Sequence, residues 1–302
     1  MTLDQLRIFV AVADRGHVTR AANALGITQS AASAAIAALE TRYRCRLFNR
    51  VGRGIELTET GRRFLQEARA VLDRVSAARA VLEDLAGFPT GAISIAASHT
   101  VASYWLPRRL AAFHAAHPGV QLEVVIRNTR EVENAVVDGE AHLGLVEGPT
   151  QNRALLRVQV DTDRPLLVVA AKYPPLPRTP SGQIDLRAIP WVVREEGSGT
   201  RHVLEELAAV EGLTLRDLSI FLVLPGNEAI REAVEAGAGA TIISEHVVAS
   251  ALAIGSLRAH PIDLPIRNFV VLQHRERQLS VAQQALVKHL ATTDRAAGGK
   301  SG

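Results

Sequence analysis

The 302-residue chain contains a single cysteine, Cys45, which excludes an internal disulfide and any cysteine-based metal cluster within one chain. Cys45 is read as a small buried apolar residue. Long apolar runs are also lacking. Although 47% of the residues are hydrophobic, no run reaches the roughly 20 residues that a membrane-spanning helix needs, so no membrane partner is expected. The opening MTLDQLRIFV has an early acid and no basic start, apolar stretch or small-residue cleavage site. No secretory leader is read in it, and a cytoplasmic location is expected. Enzyme signatures are missing too. The stretch GSGT lacks the lysine and spacing of a P-loop, no serine sits in a nucleophile elbow, and the ten histidines form no HExxH pair. His99, His202 and His246 fall near predicted helix starts, where a hydrogen-bonded histidine is commoner than a metal ligand. No catalytic residue, metal or cofactor is expected.

The charge that is present is unevenly placed. Residues 1–90 hold 13 bases, all arginine, against 9 acids, whereas residues 91–302 hold 21 bases against 22 acids. The excess positive charge therefore lies in the first third, carried by the side chain whose planar fork pairs best with phosphate. Such a patch points to nucleic acid only when a motif accompanies it.

The motif begins with Leu3 to Ala13, whose apolar residues at 3, 6, 9, 10 and 13 form a helical stripe. Val18 to Leu25 predicts a short second helix, ended at Gly26 by a residue tolerant of positive φ. Thr28 can cap a third helix from Gln29 to about Tyr43, with Ala32, Ala35, Ile36 and Leu39 facing inward. Two helices joined by a short glycine-containing turn match a helix-turn-helix. Ala21, Ala22 and Ala32 let the helices cross closely, and small outward residues at 34 and 37 let the third helix enter a DNA groove about 12 Å wide. Gln29, Ser30 and Ser33 are the base-reading candidates, because Gln pairs with adenine in two places and Ser bonds either base edge. Arg20 and Thr28, within the motif, are further DNA-binding candidates, as are Arg50 and Arg53 beyond it. In LFNRVGRGIELTETG, two short strands surround Arg50, Gly52, Arg53 and Gly54, a wing with arginines at its tip.

LRIFVAVADRGHVTRAANALGITQSAASAAIAALE followed by RLFNRVGRGIELTETG resembles the winged helix-turn-helix of the LysR-type transcriptional regulators, over about 60 contiguous residues. Recognition helices of that family often carry a proline near the start and a base one turn later. Ser30 and Ala34 stand there in this chain, which leaves its preferred operator open.

From Thr58, apolar positions 64, 68, 71, 75, 78, 82 and 85 alternate steps of four and three, a seam suited to pairing two helices. Leu65 and Leu72 widen the stripe toward the helix's own head domain. Beyond Gly91, short β-branched runs (92–97, 120–126, 142–146, 166–171, 191–193, 220–224 and 240–243) alternate with helical stretches, predicting an α/β sandwich with mostly parallel sheets. Two stretches there attract chemical attention. ISIAASHT ends in Ser98 and Thr100 before a helix, and VVREEGSGT ends in Ser198, Gly199 and Thr200 before another. Hydroxyls and unpaired N–H groups at a helix start hold a small anion, although ordinary capping accounts for either site alone. Thr129 and Asn227 also begin helices and are candidates to line the same cleft.

The resemblance implies a mixed fold: a winged helix-turn-helix over 1–58, a linker helix over 59–87, and an effector-binding domain over 88–302. That domain would be like periplasmic solute-binding proteins, with one subdomain at about 91–161 and 267–302 and the other at about 162–266. It implies a DNA-binding regulator, not an enzyme, acting on double-stranded promoter DNA as a homodimer or homotetramer, with RNA polymerase among the expected partners. The stretches REEGSGTR and GNEAIREAVEAGAGATIIS look most like the branch regulating carbon fixation and sulfur assimilation, which implies a small, anionic effector between the subdomains. A cytoplasmic small-molecule binding protein with a vestigial head is the alternative.

Overall fold

The computed structural model describes residues 1–51, 54–84, 91–150 and 152–292, in two compact units. The first unit opens with α1 (Leu3–Arg15), where Thr2 and Gln5 form a reciprocal capping box at 3.2 and 3.0 Å. α1 buries Leu6, Phe9 and Val12. α2 (Val18–Ala24) ends ahead of Gly26, whose φ of +66° makes the predicted turn, and α3 (Gln29–Tyr43) starts at the Thr28 cap. β1 (Phe48–Val51) pairs antiparallel with β2 (Gly54–Leu57), and the Glu40 carboxyl group accepts the Leu47 and Phe48 N–H groups, fixing the wing to the end of α3. α4 (Glu59–Asp84) follows. Its Gly61 lies so close to the Leu47 carbonyl that a Cβ would collide with it.

Phe64, Leu65, Ala68 and Leu72 of α4 pack on the head core, as the widened stripe predicts, while Val71 is exposed. The seam expected on α4 runs out through Leu82, whose side chain is outside the description, and Leu85, which lies outside the described residues.

The second unit holds two five-stranded sheets. The first has the order β4, β3, β5, β12, β6 and is built from β3 (Gly91–Ser98), β4 (Val120–Arg127), β5 (Leu143–Glu147), β6 (Leu155–Asp163) and β12 (Arg267–His274). The second has the order β11, β7, β10, β8, β9, from β7 (Pro165–Ala170), β8 (Pro190–Arg194), β9 (Ser219–Leu224), β10 (Ala240–Ser244) and β11 (Leu257–His260). Between strands lie a π-helical turn (Val101–Trp105) running into α5 (Leu106–Ala116), then α6 (Thr129–Val137), α7 (Gly199–Val210), α8 (Asn227–Glu235), α9 (Glu245–Ala253) and, last, α10 (Val281–Thr292).

The expectation of mostly parallel sheets needs correction. β3 with β4, β3 with β5, β8 with β9 and β8 with β10 are parallel. The pairings of β12 with β5 and β6, and of β7 with β10 and β11, are antiparallel. The antiparallel strands sit where the chain crosses between sheets, from Asp163 to Pro165 and from His260 to Arg267. A buried cluster pins these crossings: the Asp163 carboxylate accepts from the Arg267 guanidinium (Nε at 3.0 Å) and from the Ser244 hydroxyl at 2.5 Å. Breaking one partner would leave a charge buried and uncompensated.

Candidate nucleic-acid interface and ligand cleft

In the head, Ala21, Ala22 and Ala32 are fully buried at the crossing of α2 and α3, so their methyl groups set the close approach that larger residues would prevent. The Thr28 hydroxyl accepts the Ala31 N–H at 3.2 Å and pairs with Ser30 at 3.0 Å. Gln29 donates its side-chain amide to the Ser33 hydroxyl at 3.0 Å, one helical turn on. Gln29, Ser30, Ala34 and Ala37 are exposed and Ser33 is half-buried, an outward face of small polar and methyl groups. Arg20 and Arg50 are exposed, whereas Arg53 lies outside the described residues.

A groove of about 980 Å³ separates α3 from the wing, and Ser33, Ala37, Thr41, Arg44, Arg46 and Arg50 line part of it. Arg44 and Arg46 escaped sequence reasoning. They follow the helix end, where Arg44 takes a left-handed φ of +51°, and nothing in the pattern marks which way so short a connection turns. Three arginines among the residues lining a groove are suited to holding phosphates, while hydroxyl and amide groups on α3 are suited to base edges.

The second unit places its seven candidate residues at the carboxyl ends of the parallel strands, the usual ligand position in open α/β sheets. Ser98 and Thr100 follow β3, Thr129 follows β4, Ser198 to Thr200 follow β8 and Asn227 follows β9. All seven are buried. Ordinary capping explains one of the two hydroxyl-rich ends: Ser198 accepts the Thr200 N–H at 3.2 Å and caps α7. Neither Ser98 nor Thr100 caps anything. Ser98 donates to the Glu147 carboxyl group, and Thr100 accepts from the Asn227 amide at 2.9 Å. Thr129 occupies the first turn of α6, where Asn128 is the residue that bonds reciprocally with Glu131, so the Thr129 hydroxyl is left to reach across to the Gly199 N–H at 3.2 Å.

Two charged residues that sequence reasoning missed complete the cleft. Glu147 ends β5 and Arg194 ends β8, and both are buried. The Arg194 guanidinium donates to both Glu195 carboxyl oxygens (2.7 and 2.8 Å) and to the Asn227 side-chain oxygen at 2.6 Å, which leads on to Thr100. The signal available was a single charge closing an apolar run, in LGLVE and in PWVVR. Thr200 has a different distinction: its hydroxyl is buried and meets no hydrogen-bond partner among the described residues. Burying a hydroxyl unpaired is costly, which sets this position in the first turn of α7 apart from the other hydroxyls of the cleft.

Electrostatics around the cleft are correspondingly mixed. Burial, followed by the charge of Arg194, holds the His99 pKa below its ordinary value, against the opposite pull of Glu195, Glu228 and Glu147. Burial would raise Glu195, but hydrogen bonds from Arg194 and its positive charge outweigh that and lower it. Tyr104 is pushed up to about 12, by burial first and then by Glu228. Among the described residues no group of three His, Cys, Asp or Glu side chains is arranged to hold a metal, and no helix is long and apolar enough to cross a membrane.

Comparison with known proteins assigns both parts. Residues 3–62 match the family model described as bacterial regulatory helix-turn-helix protein, lysR family, and residues 86–295 match the LysR substrate binding domain. The HTH-type transcriptional regulator YeiE of Escherichia coli is 34% identical over 284 residues, covering 93% of this chain and 94% of that protein. Among solved structures, full-length OxyR from Pseudomonas aeruginosa, a cysteine-to-aspartate variant, is 20% identical with a TM-score of 0.72, over 97% of this chain and 98% of that one. The CcmR regulatory domain of Synechocystis in complex with 2-PG is 25% identical with a TM-score of 0.59, over 67% of this chain and 96% of that one.

Proposed function

The chain belongs to the LysR family of transcriptional regulators, with a DNA-binding head and an effector-binding domain, and from that premise we propose that it binds promoter DNA as a homodimer or homotetramer in the cytoplasm. Base reading falls to Gln29, Ser30 and Ser33, and phosphate contacts to Arg20, Arg50 and Arg53. The single observation behind this reading is the outward face of α3, small and polar, beside a groove lined with arginine. The effector is a small molecule with an anionic group, held in the cleft by Ser198, Gly199 and Thr200 at the start of α7 together with Ser98, Thr100, Thr129 and Asn227. The unpartnered Thr200 hydroxyl supports that assignment, since an anion at a helix N-terminus would satisfy it. Binding acts on transcription by shifting an equilibrium between arrangements of the paired heads, which requires different affinities for the effector in the two states.

Fluorescence anisotropy with the DNA upstream of its own coding sequence tests the regulator reading. Affinity is expected to exceed that for random DNA by about 10³-fold or more. Its logarithm should fall with log salt at about 0.9 per phosphate contacted. Equal affinity for the two DNAs would refute the proposal.

A further inference from the structure

The cleft is unevenly satisfied. The arginines near its floor that the structure describes are already committed. All three Arg194 nitrogens are engaged with Glu195 and Asn227, and Arg201 donates to Glu205 at 3.0 Å and to the Arg194 carbonyl at 3.2 Å. Arg130, toward the rim, pairs with Glu196 at 2.9 Å. Glu147 has no arginine partner among the described residues, and the titratable base it acts on is His99. Its side chain is buried, and among the described residues only the Ser98 hydroxyl donates to it. A carboxyl group has acceptor capacity on both oxygens, so one hydroxyl leaves much of it open to a donor that a ligand brings.

The location of this acceptor matters. The Glu147 carbonyl accepts from the Thr129 hydroxyl at 3.4 Å, and the same hydroxyl accepts the Gly199 N–H at 3.2 Å. Gly199 packs so tightly that a Cβ would collide with the Glu147 carbonyl oxygen. The carboxyl-bearing end of β5 and the start of α7, with its unpartnered Thr200 hydroxyl, therefore lie on adjoining backbone. A bare anion would satisfy one side and worsen the other.

We propose that Glu147 sets the chemical class of the effector: a small acid whose anionic end meets the first turn of α7 and whose hydrogen-bond donor, an ammonium, a hydroxyl or an acid proton, meets the Glu147 carboxyl group. This rests on the cleft being the effector site. Glu147 is a specificity-determining residue, since it favours ligands that bring a donor and disfavours fully ionised anions that bring none.

Isothermal titration of the full-length protein at pH 7.5 tests it with matched probes: acetate against glycolate and glycine, and sulfate against inorganic phosphate. At least one donor-bearing probe should bind about tenfold or more tighter than its donorless match, the size expected of one hydrogen bond to a charged group. Which probe wins identifies the donor as hydroxyl, ammonium or acid proton. In Glu147→Gln, whose amide can donate to an oxyanion, the preference should shrink to about threefold or less. Acetate and sulfate binding the unaltered protein as tightly as their partners would overturn the proposal without any variant. A preference that survives in a folded Glu147→Gln would overturn it as well. Failure of every probe to bind would also sink it. The underlying reading fails separately, if Thr200→Val leaves the affinity of a bound probe unchanged.

Discussion

Gly199 donates its backbone N–H to the Thr129 hydroxyl at 3.2 Å, so the start of α7 beside the second sheet is bonded to the start of α6 beside the first. The contact depends on the missing side chain. A Cβ on Gly199 would collide with the Glu147 carbonyl oxygen and stand 3.0 Å from the Thr129 hydroxyl, and that carbonyl is backbone that cannot swing aside. Gly199→Ala should therefore cost about 1–3 kcal/mol of stability, the usual penalty of overpacking. It should also lower effector affinity at least tenfold while leaving effector-free DNA affinity within about twofold. Thermal unfolding and calorimetry on the same preparation check this, and an unchanged melting temperature would show that the approach is looser than the geometry requires.

Two histidines give the second unit a pH dependence with a defined sign. Burial and then Arg194 lower His99 from 6.5, while burial, Arg258 and Arg178 lower His260 from the same value. Because the folded values lie below the unfolded ones, the unfolded chain takes up protons first as pH falls. The contribution is complete above about pH 6.5 and is lost as pH drops from there toward the folded values. Glu195 and Asp217, lowered from 4.5 and 3.8, lose their contributions only at more acidic pH. Melting temperature is expected to decline between pH 8 and 5.5, and to decline less in the His99→Gln, His260→Gln double variant. An equal or steeper decline in the variant would contradict the assignment.

How much was legible in the sequence depended on how local the cause was. β5 and β10 are buried along their whole length and read as unbroken apolar runs, so both were found. β6, whose burial alternates and whose outward positions include Arg157 and Gln159, was missed, as were the four-residue β11 and the eight-residue β12. Those three take part in three of the four antiparallel pairings, and the fourth joins β7 and β10, whose direction no local pattern shows, which is why the sheets looked more parallel than they are. The helix-turn-helix was legible because its caps, glycine and alanines act within a few residues. Glu147 and Arg194 were not, because their partners Ser98 and Asn227 lie 49 and 33 residues away. Hydroxyls before helices stood out, but local pattern could not separate Ser198, which caps, from Ser98, which turns to Glu147.

On α3, Ser33 accepts the Gln29 amide at 3.0 Å on the outward face. Ser33→Glu would place a longer, acidic side chain between that face and the phosphates of a duplex. Specific affinity is expected to fall at least 100-fold, because the helix is held away from the bases and a like charge approaches DNA. Stability should change by about 0.5 kcal/mol or less, as is usual for substitutions away from the core. Anisotropy titration with paired thermal unfolding decides the point. Retained promoter affinity in a folded variant would mean that another surface enters the groove.

Arg50 separates phosphate grip from base reading. It is exposed on β1 and lines the groove beside α3. A guanidinium holding one phosphate contributes equally on every sequence and releases one condensed counterion. Arg50→Ala should therefore weaken promoter and random DNA by the same factor, and the slope of log affinity against log salt should become shallower by about 0.9 per head. Measuring both DNAs at several salt concentrations distinguishes the outcomes. If the loss is confined to one base position of the operator and the slope is unchanged, Arg50 reads a base edge, and the phosphate grip must come from the other arginines of the groove, Arg44 and Arg46.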